Sequence, residues 1–176
     1  MKNQSGSSIK NLTLCALFAA IITVTIAYLP KLPLAVGYVH IADAFVFLAA
    51  SILPLPYSVI ACAIGGGLAD VLCGYAIYAP ASFVIKGVTA LFFKSAFSRT
   101  STQIGRIICL RNLLALLPSA LVCFGGYFLY ELLIYDFAAA AVGIPMNLLQ
   151  SAVGAAIFAA TGLILDKTKL LLRLER

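Results

Sequence analysis

Four stretches of this chain carry no Lys, Arg, Asp or Glu: residues 11–30, 44–69, 112–130 and 137–165. A helix needs about 20 predominantly apolar residues to cross the hydrocarbon core of a bilayer. Runs of this kind leave few folds open, because in lipid only helices and closed barrels satisfy every backbone polar group. The alternating pattern of a transmembrane barrel strand is missing. An all-α, polytopic membrane protein is predicted. Composition agrees, since 63% of the 176 residues are hydrophobic and 10% are charged, against about 25% charged in soluble domains. A soluble enzyme, a disordered chain and a nucleic-acid-binding domain are excluded on that ground.

Prolines and glycines divide the apolar runs into six spans, at 9–29, 41–53, 57–72, 80–97, 112–135 and 145–165. The second is short and stops at Pro54-Leu55-Pro56, which ends one helix and starts the next. The third ends near Cys73-Gly74, and Pro80 suits the first turn of the fourth. Residues 1–176 then form a single integral membrane domain, with no room for a soluble one. The first span has the basic start of a secretory signal. No small-residue cleavage site followed by a soluble domain appears, so it is read as a retained anchor.

Charge sets the orientation. With the N-terminus inside, the inner segments hold Lys2, Lys10, Lys94, Arg99, Arg106, Arg111, Lys167, Lys169, Arg173 and Arg176, and the outer loops hold Lys31 alone. This asymmetry predicts a six-helix bundle in the cell membrane with both termini cytoplasmic.

The acids gather at the opposite end. Asp43, Asp70, Glu131 and Asp136 all fall near the outer ends of spans, and His40 lies three residues before Asp43. Asn147 and Gln150 share one face early in the last span. Lys86 lies inside the fourth span, where a charge signals a partner or a function. The Gly74–Ala79 turn makes a Lys86–Asp70 pair geometrically reasonable, either as a tie between helices or as part of a polar cavity. Tyr38, Tyr75, Tyr78, Tyr130 and Tyr135 at that end suit a flat ligand, or an interfacial belt. Ala16 and Ala20 have the small-xxx-small spacing that lets helices approach closely, and Gly65-Gly66-Gly67, Gly154 and Gly162 are similar close-packing positions.

Other chemistry is missing from the sequence. The five cysteines show no CxxC spacing and the chain has one histidine, so no metal site is predicted. There is no GxxxxGK[ST] loop, no GxSxG and no HExxH, and no catalytic residue or cofactor is assigned. The two halves show no internal repeat of the kind found in self-contained transporters.

The stretch GYVHIADAFVFLAASILPLP, with AIGGGLADVLCGYAIYAPASFVIKG, resembles the substrate-binding (S) components of energy-coupling factor vitamin transporters. The likeness is closest to the branch with riboflavin-, pyridoxine- and hydroxymethylpyrimidine-type members, and it covers nearly the whole chain. His40-x-x-Asp43, Asp70, the Gly-Tyr turn, Pro80 and Lys86 carry it. Ala42 departs from the glycine that the family's motif would have there.

The resemblance implies high-affinity binding of a small water-soluble vitamin or precursor near the outer face, with a pyridoxine-like or other flat heterocycle as the expected ligand. It also implies docking through Ala16 and Ala20 onto a transmembrane coupling (T) subunit that works with two cytosolic ATPases, and reorientation of the whole chain in the membrane. The candidate ligand contacts are His40, Asp43, Asp70, Tyr75, Tyr78, Lys86, Glu131, Asn147 and Gln150. The competing expectations are a structural or regulatory membrane subunit and, more remotely, a membrane-embedded enzyme.

Overall fold

The computed structural model describes residues 4–29, 32–33, 38–97 and 106–169. Lys2, Lys31, Arg99, Arg173 and Arg176, on which part of the charge asymmetry rests, lie outside them. Six helices follow in order: α1 (Gln4–Tyr28), α2 (Asp43–Ile52), α3 (Leu55–Leu72), α4 (Ala79–Phe97), α5 (Leu110–Ile134) and α6 (Phe137–Thr168). Between α1 and α2, β1 (Leu32–Pro33) and β2 (Tyr38–Val39) pair antiparallel, with Leu32 opposite Val39. This two-residue ladder leaves the all-helical class intact.

Among the described residues, four helices are long and apolar enough to cross a membrane: α1 over Ser8–Tyr28, α3, α5 and α6. The ten residues of α2 extend only about 15 Å, half the thickness of a bilayer core. α2 occupies the middle of the bundle, packed against α1, α3, α4 and α6. Eight of its residues, from Asp43 to Ser51, are buried, as expected of a helix that is apolar all round. Its Phe47 stacks on Phe93 of α4 at 5.4 Å, and Phe158 of α6 meets both rings edge-on. The outer faces of the long helices are the reverse, with Leu110, Leu117, Leu121 and Leu133 of α5 all more than 60% exposed. Apolar surface of that extent needs lipid to cover it.

Local chemistry explains most boundaries. Pro54 and Pro56 break α2 from α3, with proline in the first turn of α3. Gly74 follows α3 with φ +81°, the left-handed conformation that glycine adopts without steric cost. The boundary that differs most from expectation is the start of α6. α6 starts at Phe137, eight residues before the predicted 145, and Pro145 lies inside it. Asp136 caps that helix by accepting a bond from Ala139 N at 2.8 Å, and α5 and α6 are joined by Tyr135 and Asp136 alone. Helix-interior proline is tolerated where neighbouring helices support the backbone.

Glycines bring the helices together at the expected positions. A Cβ on Gly65 would meet Ile22 of α1 at 2.8 Å, one on Gly66 would meet Lys86 Cγ of α4 at 2.8 Å, and one on Gly162 would meet Ile108 at 2.6 Å. Ala42 precedes α2 in the ordinary right-handed region (φ −65°) and is fully buried, so the backbone there makes no demand for glycine.

Candidate functional site

Polar side chains enter this apolar bundle mainly at the end where α3 turns into α4. The turn is pinned by Tyr75 N donating to Asp70 O at 2.9 Å and Tyr78 N to Tyr75 O at 2.8 Å. Tyr130 of α5 donates its hydroxyl to Ile77 O, which ties the turn to α5. Beneath it lies an open-mouthed cavity, with about 570 Å³ of empty space that includes the solvent at its mouth.

Seven of the nine predicted contacts line this cavity: His40, Asp70, Tyr75, Tyr78, Glu131, Asn147 and Gln150. They come from four separate stretches of the chain, around residues 40, 70–78, 131 and 147–150. Ser82, Tyr127, Gly143 and Met146 complete the lining, and the sequence reading did not find them. The signal was present. Each lies one helical turn from a predicted residue: Ser82 from Tyr78, Tyr127 from Glu131, and Gly143 and Met146 from Asn147 and Gln150.

Asp43 and Lys86 are placed differently. The predicted Lys86–Asp70 pair does not form; Lys86 Nζ lies 2.5 Å from Asp43 Oδ1. The sequence suggested Asp70 because it shares a hairpin with Lys86. The structure instead inserts α2 against α4, which brings Asp43 to the lysine. Both side chains are fully buried. Two lining residues touch this pair from above, Gln150 by donating to Asp43 Oδ2 at 3.2 Å and Tyr127 through its ring, 5.4 Å from Lys86 Nζ. Cys123 Sγ adds contacts to both, at 3.4 Å from Lys86 Nζ and 3.8 Å from Asp43 Oδ2. The ion pair therefore underlies the cavity floor and joins α2, α4, α5 and α6.

The walls are arranged around tyrosines. Tyr127 and Ser82 share a hydroxyl–hydroxyl bond of 2.7 Å. Tyr78 packs against Tyr130 at 5.7 Å and Tyr135 at 6.5 Å, and its hydroxyl faces Glu131 Oε1 at 3.5 Å. Thus Tyr130 and Tyr135 back the wall, while Tyr75 and Tyr78 form it. His40 is buried and accepts the Ala42 N–H at Nδ1, 3.3 Å away, so it both caps the approach to α2 and borders the cavity. Among the described residues no cluster of His, Cys, Asp or Glu is arranged to hold a metal ion.

The opposite end holds structural polar groups. Lys94, near the inner end of α4, is buried and donates to Leu53 O at the end of α2. Asp166 of α6 accepts from Ile107 N at 2.7 Å and Ile108 N at 2.9 Å, just before α5. Ala16 and Ala20 are exposed on α1 among Leu12, Leu17 and Val24.

The family model described as ECF-type riboflavin transporter, S component, matches residues 6–167. The chain belongs to that family, which is a transporter component and not an enzyme family. No curated protein matches the chain.

Proposed function

We propose that this S component captures a small water-soluble vitamin in the cavity beneath the α3–α4 turn, for import by an energy-coupling factor transporter. The observation that carries the reading is the cavity itself, with tyrosine rings and sparse polar groups converging at one end of an otherwise apolar bundle. Tyr75, Tyr78 and Tyr127 offer aromatic faces to a flat heterocycle, and Ser82, Asn147 and Gln150 offer hydrogen bonds to its edge. Asp43 and Lys86 act beneath the lining, holding Gln150 and Tyr127 in place. The family description favours riboflavin over the pyridoxine-like ligand that the sequence suggested.

The rest of the reading extends from the same family. All six helices form one membrane-embedded bundle with both termini cytoplasmic, and the cavity opens outward, in keeping with the basic residues at the other end. The exposed Ala16–Ala20 face of α1 docks on the transmembrane coupling subunit. That subunit and two cytosolic ATPases drive reorientation of the chain in the membrane.

Mass spectrometry of ligand co-purified with the protein, followed by calorimetric titration with riboflavin and pyridoxine, tests the proposal. Stoichiometric binding without turnover is the expected result. Failure of both vitamins to bind would return the chain to a scaffolding role, and catalytic turnover would overturn the reading.

A further inference from the structure

Glu131 is poorly answered by its own protein. The residue is buried, at 7% exposure. Oε1 has the Tyr78 hydroxyl at 3.5 Å, the outer limit of a hydrogen bond. Oε2 is buried with no hydrogen-bond partner among the described residues. A buried carboxylate oxygen left this way is costly, more so than a neutral group.

α6 makes room for this oxygen. A Cβ on Gly143 would collide with Glu131 Oε2, and both residues border the cavity. Any larger side chain at 143 would displace the carboxylate. The described lining contains a second acid, Asp70, and neither Lys nor Arg. Lys86 lies beneath the floor and is bonded to Asp43.

Resting on the vitamin-capture reading above, the geometry points to Glu131 Oε2 as the acceptor for an N–H or O–H of the ligand, positioned by Gly143. The cavity therefore takes an uncharged or cationic, donor-bearing heterocycle and rejects the same heterocycle carrying a phosphate ester. A phosphate would bring negative charge towards two carboxylates in a partly desolvated site, where like charges repel strongly. A ligand donor facing Glu131 instead gains a charge-assisted bond.

Calorimetric titration of the purified full-length protein with riboflavin and riboflavin 5′-phosphate tests this, with pyridoxine and pyridoxine 5′-phosphate as a second pair. The wild type is expected to prefer the free vitamin by about tenfold or more. Glu131→Gln should weaken free-vitamin binding by about 10- to 100-fold and narrow the gap to the ester. Gly143→Ala moves the carboxylate without removing its charge, so it should weaken the free vitamin and preserve discrimination. Equal wild-type affinity for vitamin and ester would overturn the inference while leaving vitamin capture standing. So would Glu131→Gln binding within about twofold of wild type. If neither free vitamin binds the wild type, vitamin capture fails and this inference fails with it. Glu131→Asp supplies a second variant that keeps the charge and retracts the oxygen, and unchanged affinity there also counts against it.

Discussion

Lys86 Nζ meets Asp43 Oδ1 at 2.5 Å, with the two side chains 0% and 1% exposed. The contact fixes the first residue of α2 against the middle of α4. Breaking a buried pair by removing one partner costs about 3–5 kcal/mol, because the other charge is left buried and unanswered. Lys86→Met and Asp43→Asn should each lower Tm strongly in detergent. The double variant should recover much of the loss; if the two losses simply add, the residues do not act as a unit.

Gly154 and Gly125 provide a matched comparison. A Cβ at Gly154 would stand 2.7 Å from Asp43 Cβ and 3.2 Å from Ala44 N, whereas one at Gly125 would meet nothing within 4 Å. Gly154→Ala should cost about 1–3 kcal/mol by forcing α2 from α6. It should also weaken ligand binding through the Gln150–Asp43 contact. Gly125→Ala should be neutral or gain a few tenths up to about 1 kcal/mol through helix propensity. Thermal melts of both variants check the contrast.

The docking role proposed for α1 separates binding from transport. Replacing Ala16 and Ala20 with Trp adds bulk to an exposed face, so Tm and vitamin affinity should remain near wild type while cellular uptake disappears. Preserved uptake would remove these residues from the coupling surface.

Asp166→Ala should act at the far end from the cavity. It leaves the Ile107 and Ile108 N–H groups without their carboxylate, a cost of about 1–3 kcal/mol for each group that stays buried and unpaired. Faster amide exchange at 107–108, with vitamin affinity unchanged, is the expected outcome.

Much of the fold was legible because lipid imposes simple rules. Charge-free runs located the long helices, Pro54 and Pro56 marked the α2–α3 break, and Gly74 marked the next turn. Pro145 misled because a proline suits a helix start as well as a supported interior, and only the Asp136 cap distinguishes the two. Partner choice was the harder problem. Lys86 and Asp70 are near in sequence, but α2 has to be placed in the bundle centre before Asp43 becomes the lysine's neighbour. Tyr127 was hidden in an apolar run for the same reason: its neighbours Ser82 and Lys86 come from another helix. Residue chemistry therefore marked the polar end of the molecule, while the pairings within it depended on tertiary packing.

The neutrality of the Asp43–Lys86 couple also matters electrically. An elementary charge carried through the full membrane potential exchanges about 2.3 kcal/mol per 100 mV with the field. Two opposite charges held 2.5 Å apart travel as a compact dipole, so if the bundle tips during import the couple contributes almost no gating charge. Lys86→Met would strand one negative charge in the moving part. Import by that variant should then acquire a dependence on membrane voltage that this couple does not impose on the parent protein.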